Sequence, residues 1–349
     1  MLVSRFRDDG IGVTVSELSS ALTKRGHKVT IGAFEFESAA PPRINTMILP
    51  PTSRSRPWKL ASLFKNYDLI HNHQSAAVNF SSFWIRTPFI YSFHGIPDFR
   101  YSQDIRSALE KLFLLGTSKN FARIIVPLDC VRMQLGRYFL ISLKRIETIH
   151  PGVSEQIFRP RETGPSSNLA PRLLYVGDLV RHKRVHLLLR AFARLLGETN
   201  NSSLRIVGDG AERAFLEDLV RQLEIRNAVS FLGRVPRHLM PGIYHSCDVY
   251  VTASANEVFG LPLMEAMACG LPVLASPCSA HREIIEASHG GEVTNPDSPE
   301  EFSNAILQIY QHKAQYQKNG LTYAHEHSWD RTAALTEALY TAALSEHDR

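Results

Sequence analysis

Two carboxylates, Glu257 and Glu265, stand on either side of the turn Phe259-Gly260-Leu261. Ala253 to Val258 carry no helical period and read as loop. Pro262 suits a first helical position, where its missing N–H costs nothing. Leu263 to Cys269 are good helix formers, and Gly270 suits the left-handed residue past a helix end. A glycine turn therefore runs into a helix N-terminus, whose free backbone N–H groups attract an anion such as a phosphate. Carboxylates repel phosphate but accept hydrogen bonds from hydroxyls. A ligand that suits both carries phosphate and sugar together. The spacing has an ordinary reading too, since the helix dipole alone favours a Glu in a first turn.

Two further sets of residues have chemistry to offer. Lys183 closes the turn Gly177-Asp178-Leu179-Val180-Arg181-His182-Lys183 just before a helix, where an ammonium can meet a diphosphate. His71, His73 and His94 fall at or just beyond the ends of two apolar strands, YDLIHNH and TPFIYSFHG. Ligands of parallel α/β sheets gather at the carboxyl ends of strands. No nearby carboxylate completes a recognisable metal set around these histidines, so no metal is expected. No D-x-D occurs in the chain, which argues against a metal-bridged donor site.

The elements that must hold these residues repeat one pattern. Leu2 to Phe6 reads as a strand, Arg7 to Gly12 as a glycine-bearing turn, Val13 to Arg25 as a helix and Lys28 to Phe34 as the next strand. Ala40 to Lys59 reads as loop. Asp104 to Leu115 reads as helix, and Arg159 to Arg172, rich in Pro, Gly and Ser, as a linker. Leu173 to Gly177 then opens a second strand–turn–helix unit. Its helix carries Val185, Leu188, Leu189, Phe192, Leu195 and Leu196 as an apolar stripe. The expected architecture is α/β: a doubly wound Rossmann-like domain over residues 1–160, a second over 161–325, and a helix over 326–349.

The string E-x-F-G-x-x-x-x-E-A-M-A-x-G-x-P-V, residues 257–273, resembles the donor-site signature of the retaining glycosyltransferases of family 4, which have the GT-B fold. The opening G-x6-EL-x3-L-x2-RGHKVT resembles the start of the same family. The resemblance implies two Rossmann-like domains facing across a cleft, with the last helix crossing back to the first domain. It implies transfer of a sugar from a nucleotide-diphosphate sugar, with retention and without a metal or other cofactor. Glu265 then accepts the ribose hydroxyls and Glu257 those of the transferred sugar. The amides of Phe259, Gly260 and Leu261, with Lys183, take the diphosphate. His94, matching the family's His-Gly, touches the sugar or the acceptor. Gly10 lies by the donor, and Gly233, Arg234 and Val235 hold the base.

Two positions depart from the family. Asp9 stands where the first of two glycines is usual, and Asp178 replaces an Arg after Gly177. The second cation for phosphate then falls to Arg181 or Arg184.

Composition narrows the rivals. The chain has 349 residues, 44% hydrophobic and 21% charged, with a net charge of +5. These are values of a globular two-domain protein. No apolar run reaches the roughly 18 residues of a membrane span, and MLVSRFRDDG has no signal-peptide core. The first strand begins almost at Met1, which leaves room for a longer native start. Cys130, Cys247, Cys269 and Cys278 form no C-x-x-C pair and read as reduced core residues of a cytoplasmic chain. Residues 1–165 hold 22 Lys and Arg against 13 Asp and Glu, while the rest hold 17 against 21. A basic first half faces either solvent or an anionic acceptor or membrane leaflet. Nucleic acid is not expected, because no basic run is interleaved with aromatics. A same-fold phosphorylase or epimerase and a non-catalytic nucleotide-binding homologue are the alternatives. A dehydrogenase would need a dinucleotide fingerprint that residues 6–34 carry only in damaged form.

Overall fold

The computed structural model describes residues 1–51, 58–95, 114–160 and 170–347. The chain divides into two compact units, Met1–Gly152 together with Trp329–Arg349, and Val153–Ser328. The divisions thus fall at 152 and 328, where the sequence reading sets them at 160 and 325. The expected linker at Arg159–Arg172 falls largely on 161–169, and the expected helix at Asp104–Leu115 almost wholly on 96–113. Both segments lie outside the described residues.

The first unit is built on β1 (Leu2–Phe6), β2 (Thr30–Phe36), β3 (Asn45–Ile48), β4 (Ile70–His73), β5 (Phe89–Ser92), β6 (Arg123–Val126) and β7 (Ile146–Thr148). They form one sheet in the order β3-β2-β1-β4-β5-β6-β7, parallel throughout. β4 and β5 are buried along their whole length. This is the continuous apolar pattern of a strand covered on both faces. β3 is a correction: it lies within the stretch read as loop. It is an edge strand whose residues are mostly exposed, so no buried alternation marks it in sequence. The first helix is Gly10–Lys24, three residues longer at its start than expected. Asp9 is its N-cap, accepting a hydrogen bond from the Gly12 N–H at 2.9 Å. The chain is tight here, because a Cβ on Gly12 would stand 1.7 Å from the Arg7 carbonyl oxygen.

The helix Trp329–His347 belongs to this first unit. Trp329 and Ala333 pack against Leu18, Ala21 and Leu22 of the first helix. Leu339 and Ala343 pack against Ile90 of β5, Ile125 of β6 and Ile149. Polar contacts fix its register: Glu337 meets Arg25 and His27, and Thr332 donates to the His150 carbonyl at 2.8 Å.

The second unit is built on β8 (Arg172–Val176), β9 (Ser203–Val207), β10 (Val229–Gly233), β11 (Val249–Thr252), β12 (Val273–Ala275) and β13 (Gly291–Val293). Their order is β10-β9-β8-β11-β12-β13, again all parallel. The sheet reverses direction between β8 and β11, the switch point where doubly wound sheets bind ligands. The predicted stripe on helix Val185–Glu198 is buried at Val185, Leu188, Leu189, Phe192 and Leu195, against Phe302, Ile306 and Ile309. Each such side chain contributes about 1.5–3 kcal/mol on burial. Cys247 and Cys269 are buried, whereas Cys130 and Cys278 are only half-buried, and none of the four is in a disulfide. Among the described residues no helix is long and apolar enough to cross a membrane.

Candidate active site

At the switch point of the second sheet, β11 runs out through Ser254 to Glu257 and into the helix Leu261–Ala268. Gly260 is its N-cap at φ 100°, a left-handed conformation that favours glycine. The Gly260 carbonyl accepts from Leu263 N–H at 3.0 Å and so starts the helix. Gly270, at φ 79°, ends it. The turn and the helix entry stand as the sequence predicts.

Lys183 and Glu257 come together from separate loops. The Lys183 ammonium donates to a Glu257 carboxylate oxygen at 2.5 Å, and both side chains are largely buried. The Ala255 N–H donates to the His182 carbonyl at 2.8 Å, tying the two loops by backbone as well. Burial alone would raise the Glu257 pKa. The Lys183 charge and its hydrogen bond outweigh that, and the carboxyl lies below its ordinary value. The Glu257 carboxylate is thus charged at neutral pH. An ammonium has three N–H donors, so two remain for another anion.

Glu265 is held differently. The Arg237 guanidinium donates to one of its oxygens at 2.5 Å and the Tyr244 hydroxyl to the other at 3.0 Å. Arg237 also lies 4.8 Å from the centre of the Phe158 ring, which meets Tyr244 edge-on. Burial, then the Glu265 charge, pushes the Tyr244 hydroxyl well above its ordinary pKa, so it stays a donor. Arg237, Tyr244 and Phe158 were not singled out from sequence. They lie outside the signature, and no local pattern ties them to Glu265.

Three glycine turns at the ends of β8, β9 and β10 lock together beside Lys183. Gly208 N–H donates to the Gly233 carbonyl at 2.8 Å, and Leu179 N–H to the Asp209 carbonyl at 3.0 Å. A Cβ on Gly208 would stand 2.0 Å from the Gly177 carbonyl oxygen. Gly233 has φ 66° and sits where β10 shifts register against β9. Val235 is half-buried just beyond. Asp178 and Arg234 pair with each other at 3.2 Å, both exposed, so Asp178 offsets the charge of Arg234. Arg181 is exposed beside Lys183. Arg184 is engaged, donating to the Ala253 carbonyl at 2.9 Å. His281 was not expected either: it is buried beside the Gly260 turn, 3.1 Å from the Ser276 carbonyl oxygen.

In the first unit, Gly10 opens the first helix in empty space, with nothing within 4 Å of an added Cβ. The close approach belongs to Gly12 instead. The three histidines form a row. His71 lies between the Tyr340 and Ser92 hydroxyls, 2.6 Å from each. His71 and His73 have ring centres 4.1 Å apart, and a His73 ring nitrogen lies 2.8 Å from one of His94. The His94 backbone N–H donates to Gln74 at 2.8 Å. Burial drives His71 and His73 well below their ordinary pKa and His94 to about 4, with Asp9 working weakly the other way on His94. The row is neutral at pH 7.

That neutrality predicts a pH dependence. The unfolded chain binds protons at these rings below the ordinary value of 6.5, while folded His94 resists until about 4. The contribution of these rings to stability is therefore full above pH 6.5 and falls steadily as pH drops toward 4. Urea titrations at a series of pH values check this, and a flat unfolding free energy across that window would contradict it.

Twin doubly wound sheets, with an ion pair and a glycine turn at the switch point of the second, are the architecture expected of a two-domain Rossmann-like protein of the GT-B class. Known proteins agree. The family model described as Glycosyltransferase Family 4 matches residues 9–156, and that described as Glycosyl transferases group 1 matches residues 161–324. The chain belongs to this glycosyltransferase family. It is 27% identical to an uncharacterized glycosyltransferase of Methanocaldococcus jannaschii, over 96% of this chain and 95% of that protein. Sucrose-phosphate synthase of Thermosynechococcus elongatus superposes with a TM-score of 0.82 at 22% identity, covering 99% of this chain and 96% of that one. Anabaena HepE, solved with UDP and glucose, superposes with a TM-score of 0.80 at 20% identity over 98% of both chains. Several D-inositol 3-phosphate glycosyltransferases also match, but this chain spans only about half of their length, 57% and 50% in two of them.

Proposed function

We propose that the chain transfers a hexosyl group from a nucleotide-diphosphate sugar to an acceptor hydroxyl, with retention at the anomeric carbon. The observation that carries this reading is the Lys183–Glu257 pair beside the glycine-capped helix entry. Lys183, with two donors to spare, and the amides of Phe259, Gly260 and Leu261 take the diphosphate and stabilise the charge that grows on it as the sugar leaves. Preorganised electrostatics of this kind is usually the largest contribution to catalysis. Arg181 adds a cation from solvent. Glu257 accepts hydroxyls of the transferred sugar, and Glu265 accepts those of the ribose.

The base lies by Gly233, Arg234 and Val235, and Gly10 belongs to the donor side of the first unit. Likeness to HepE supports uracil as that base. His94, a neutral ring, serves as a hydrogen-bond partner for a sugar or acceptor hydroxyl rather than as a cation. In this reading the nucleotide sugar is a substrate, and neither metal nor cofactor takes part.

The test is a panel of uridine and guanosine diphosphate sugars, scored by thermal shift and by product analysis with and without acceptors. A donor at 100 times its dissociation constant adds about 2.7 kcal/mol of stability. Turnover that needs an acceptor supports a transferase. Sugar released onto inorganic phosphate, or an epimerised donor, would favour the same-fold alternatives. Stoichiometric binding without turnover would mean a non-catalytic homologue.

A further inference from the structure

The helix Trp58–Leu63 packs beside the helix Ala76–Ser81 in the first unit, anchored by Leu60 and Val78, both fully buried. Around these anchors the surface is aromatic. Trp58 is 49% exposed, Phe83 52% and Trp84 46%. Their rings form one cluster: Trp58 lies 6.1 Å from Trp84, Phe83 6.1 Å from Trp84, and Phe80 5.8 Å from both Phe83 and Trp84. Leu63 is exposed on the same helix as Trp58. Contiguous apolar surface of this kind marks a place where something docks.

Charge identifies the occupant. Residues 58–95, which carry the two helices, contain three basic residues, Lys59, Lys65 and Arg86, against the single acid Asp68. Lys59, Lys65 and Arg86 are exposed on or close to the two helices. A second copy of this chain would bring like charge against like charge. An anionic bilayer offers the complement to both features. Tryptophan and phenylalanine rings settle at the boundary of headgroups and acyl chains, and lysine and arginine settle among lipid phosphates.

We propose that this face lies on an anionic membrane surface, with Trp58, Phe83 and Trp84 in the interface and Lys59, Lys65 and Arg86 on the headgroups. It does not rest on the donor reading.

The chain offers its own probe. It has three tryptophans, and Trp329 is buried, so only Trp58 and Trp84 have room to change environment. The full chain is mixed with vesicles of phosphatidylcholine alone and of phosphatidylcholine with phosphatidylserine. The expected result is co-sedimentation and a blue shift of tryptophan emission with the anionic vesicles only, both weakened at high salt. The double variant Phe83→Ser/Trp84→Ser should lower the bound fraction about tenfold or more. Each of Lys59→Gln, Lys65→Gln and Arg86→Gln should lower it about fivefold. These charge variants decide the matter should the double variant not fold.

Absence of binding would overturn the proposal. So would sedimentation with unchanged emission, since another face would then be responsible. A concentration-dependent dimer dispersed by the double variant would overturn it in favour of self-association. Thermal shift by the nucleotide sugar is measured without vesicles, so failure of either reading leaves the other standing.

Discussion

Replacing Glu257 by Gln is expected to lower kcat/KM for sugar transfer by about 10²–10³-fold, the usual cost of removing one preorganised electrostatic contact at a reacting centre. Two losses combine. The amide no longer offers a charged acceptor to the sugar hydroxyls, and it no longer fixes Lys183, whose ammonium is 2.5 Å from the carboxylate in the native chain. The variant keeps the shape of the side chain, so its thermal unfolding should shift little compared with its activity. Steady-state kinetics with the best donor of the panel, alongside a melting curve, reads both. A Glu257→Gln enzyme within threefold of the parent would remove this carboxylate from the active site. The double variant with Lys183→Met adds a second reading: if the two side chains act as one unit, it should be barely worse than either single change.

The second large effect falls on folding. Gly208→Ala should destabilise the second unit by about 2–4 kcal/mol, the sum of an overpacked methyl and a backbone conformation that alanine resists. Gly208 has φ 126°, and its Cβ would press on the Gly177 carbonyl oxygen at 2.0 Å, so backbone and not a yielding side chain stands in the way. The turn can relieve the clash only by parting from Gly177, which would also move the Lys183 loop. Urea denaturation should therefore show a lower midpoint, and surviving enzyme should bind donor more weakly. An unchanged midpoint would mean that the three glycine turns are not locked as described. Gly10→Ala is the natural control, since nothing stands within 4 Å of that position.

Much of this was legible in the chain because it is local. The Phe259-Gly260-Leu261 turn, the helix after it and the strip of apolar residues on helix Val185–Glu198 are decided by neighbours within one or two turns. Asp9 was legible as a departure from the family but not as a cap. Its role needed the Gly12 N–H at its carboxylate, and this cap moves the start of the first helix back to Gly10. β3 was hidden because an exposed edge strand leaves no buried alternation. The partners of Glu265 were hidden for a different reason. Arg237 and Tyr244 lie 28 and 21 residues before it, and only the fold brings them to the carboxylate. The histidine row is the extreme case, with Tyr340 bonded to His71 across 269 residues. Strand ends located the three rings, but not the burial that keeps them uncharged.

The C-terminal helix has a consequence for how the chain can be cut. Val153 donates its N–H to the His327 carbonyl at 2.8 Å and pairs with Ser328, so the second unit begins and ends at one point. It is a closed insert, and residues 153–328 form an uninterrupted piece of polypeptide that carries its own sheet. The first unit has no such independence. A stop codon just before Trp329 would leave the insert whole and strip the cover from Leu18, Leu22, Ile90 and Ile125. Damage done at the carboxyl terminus would thus be felt by the part of the enzyme made first on the ribosome.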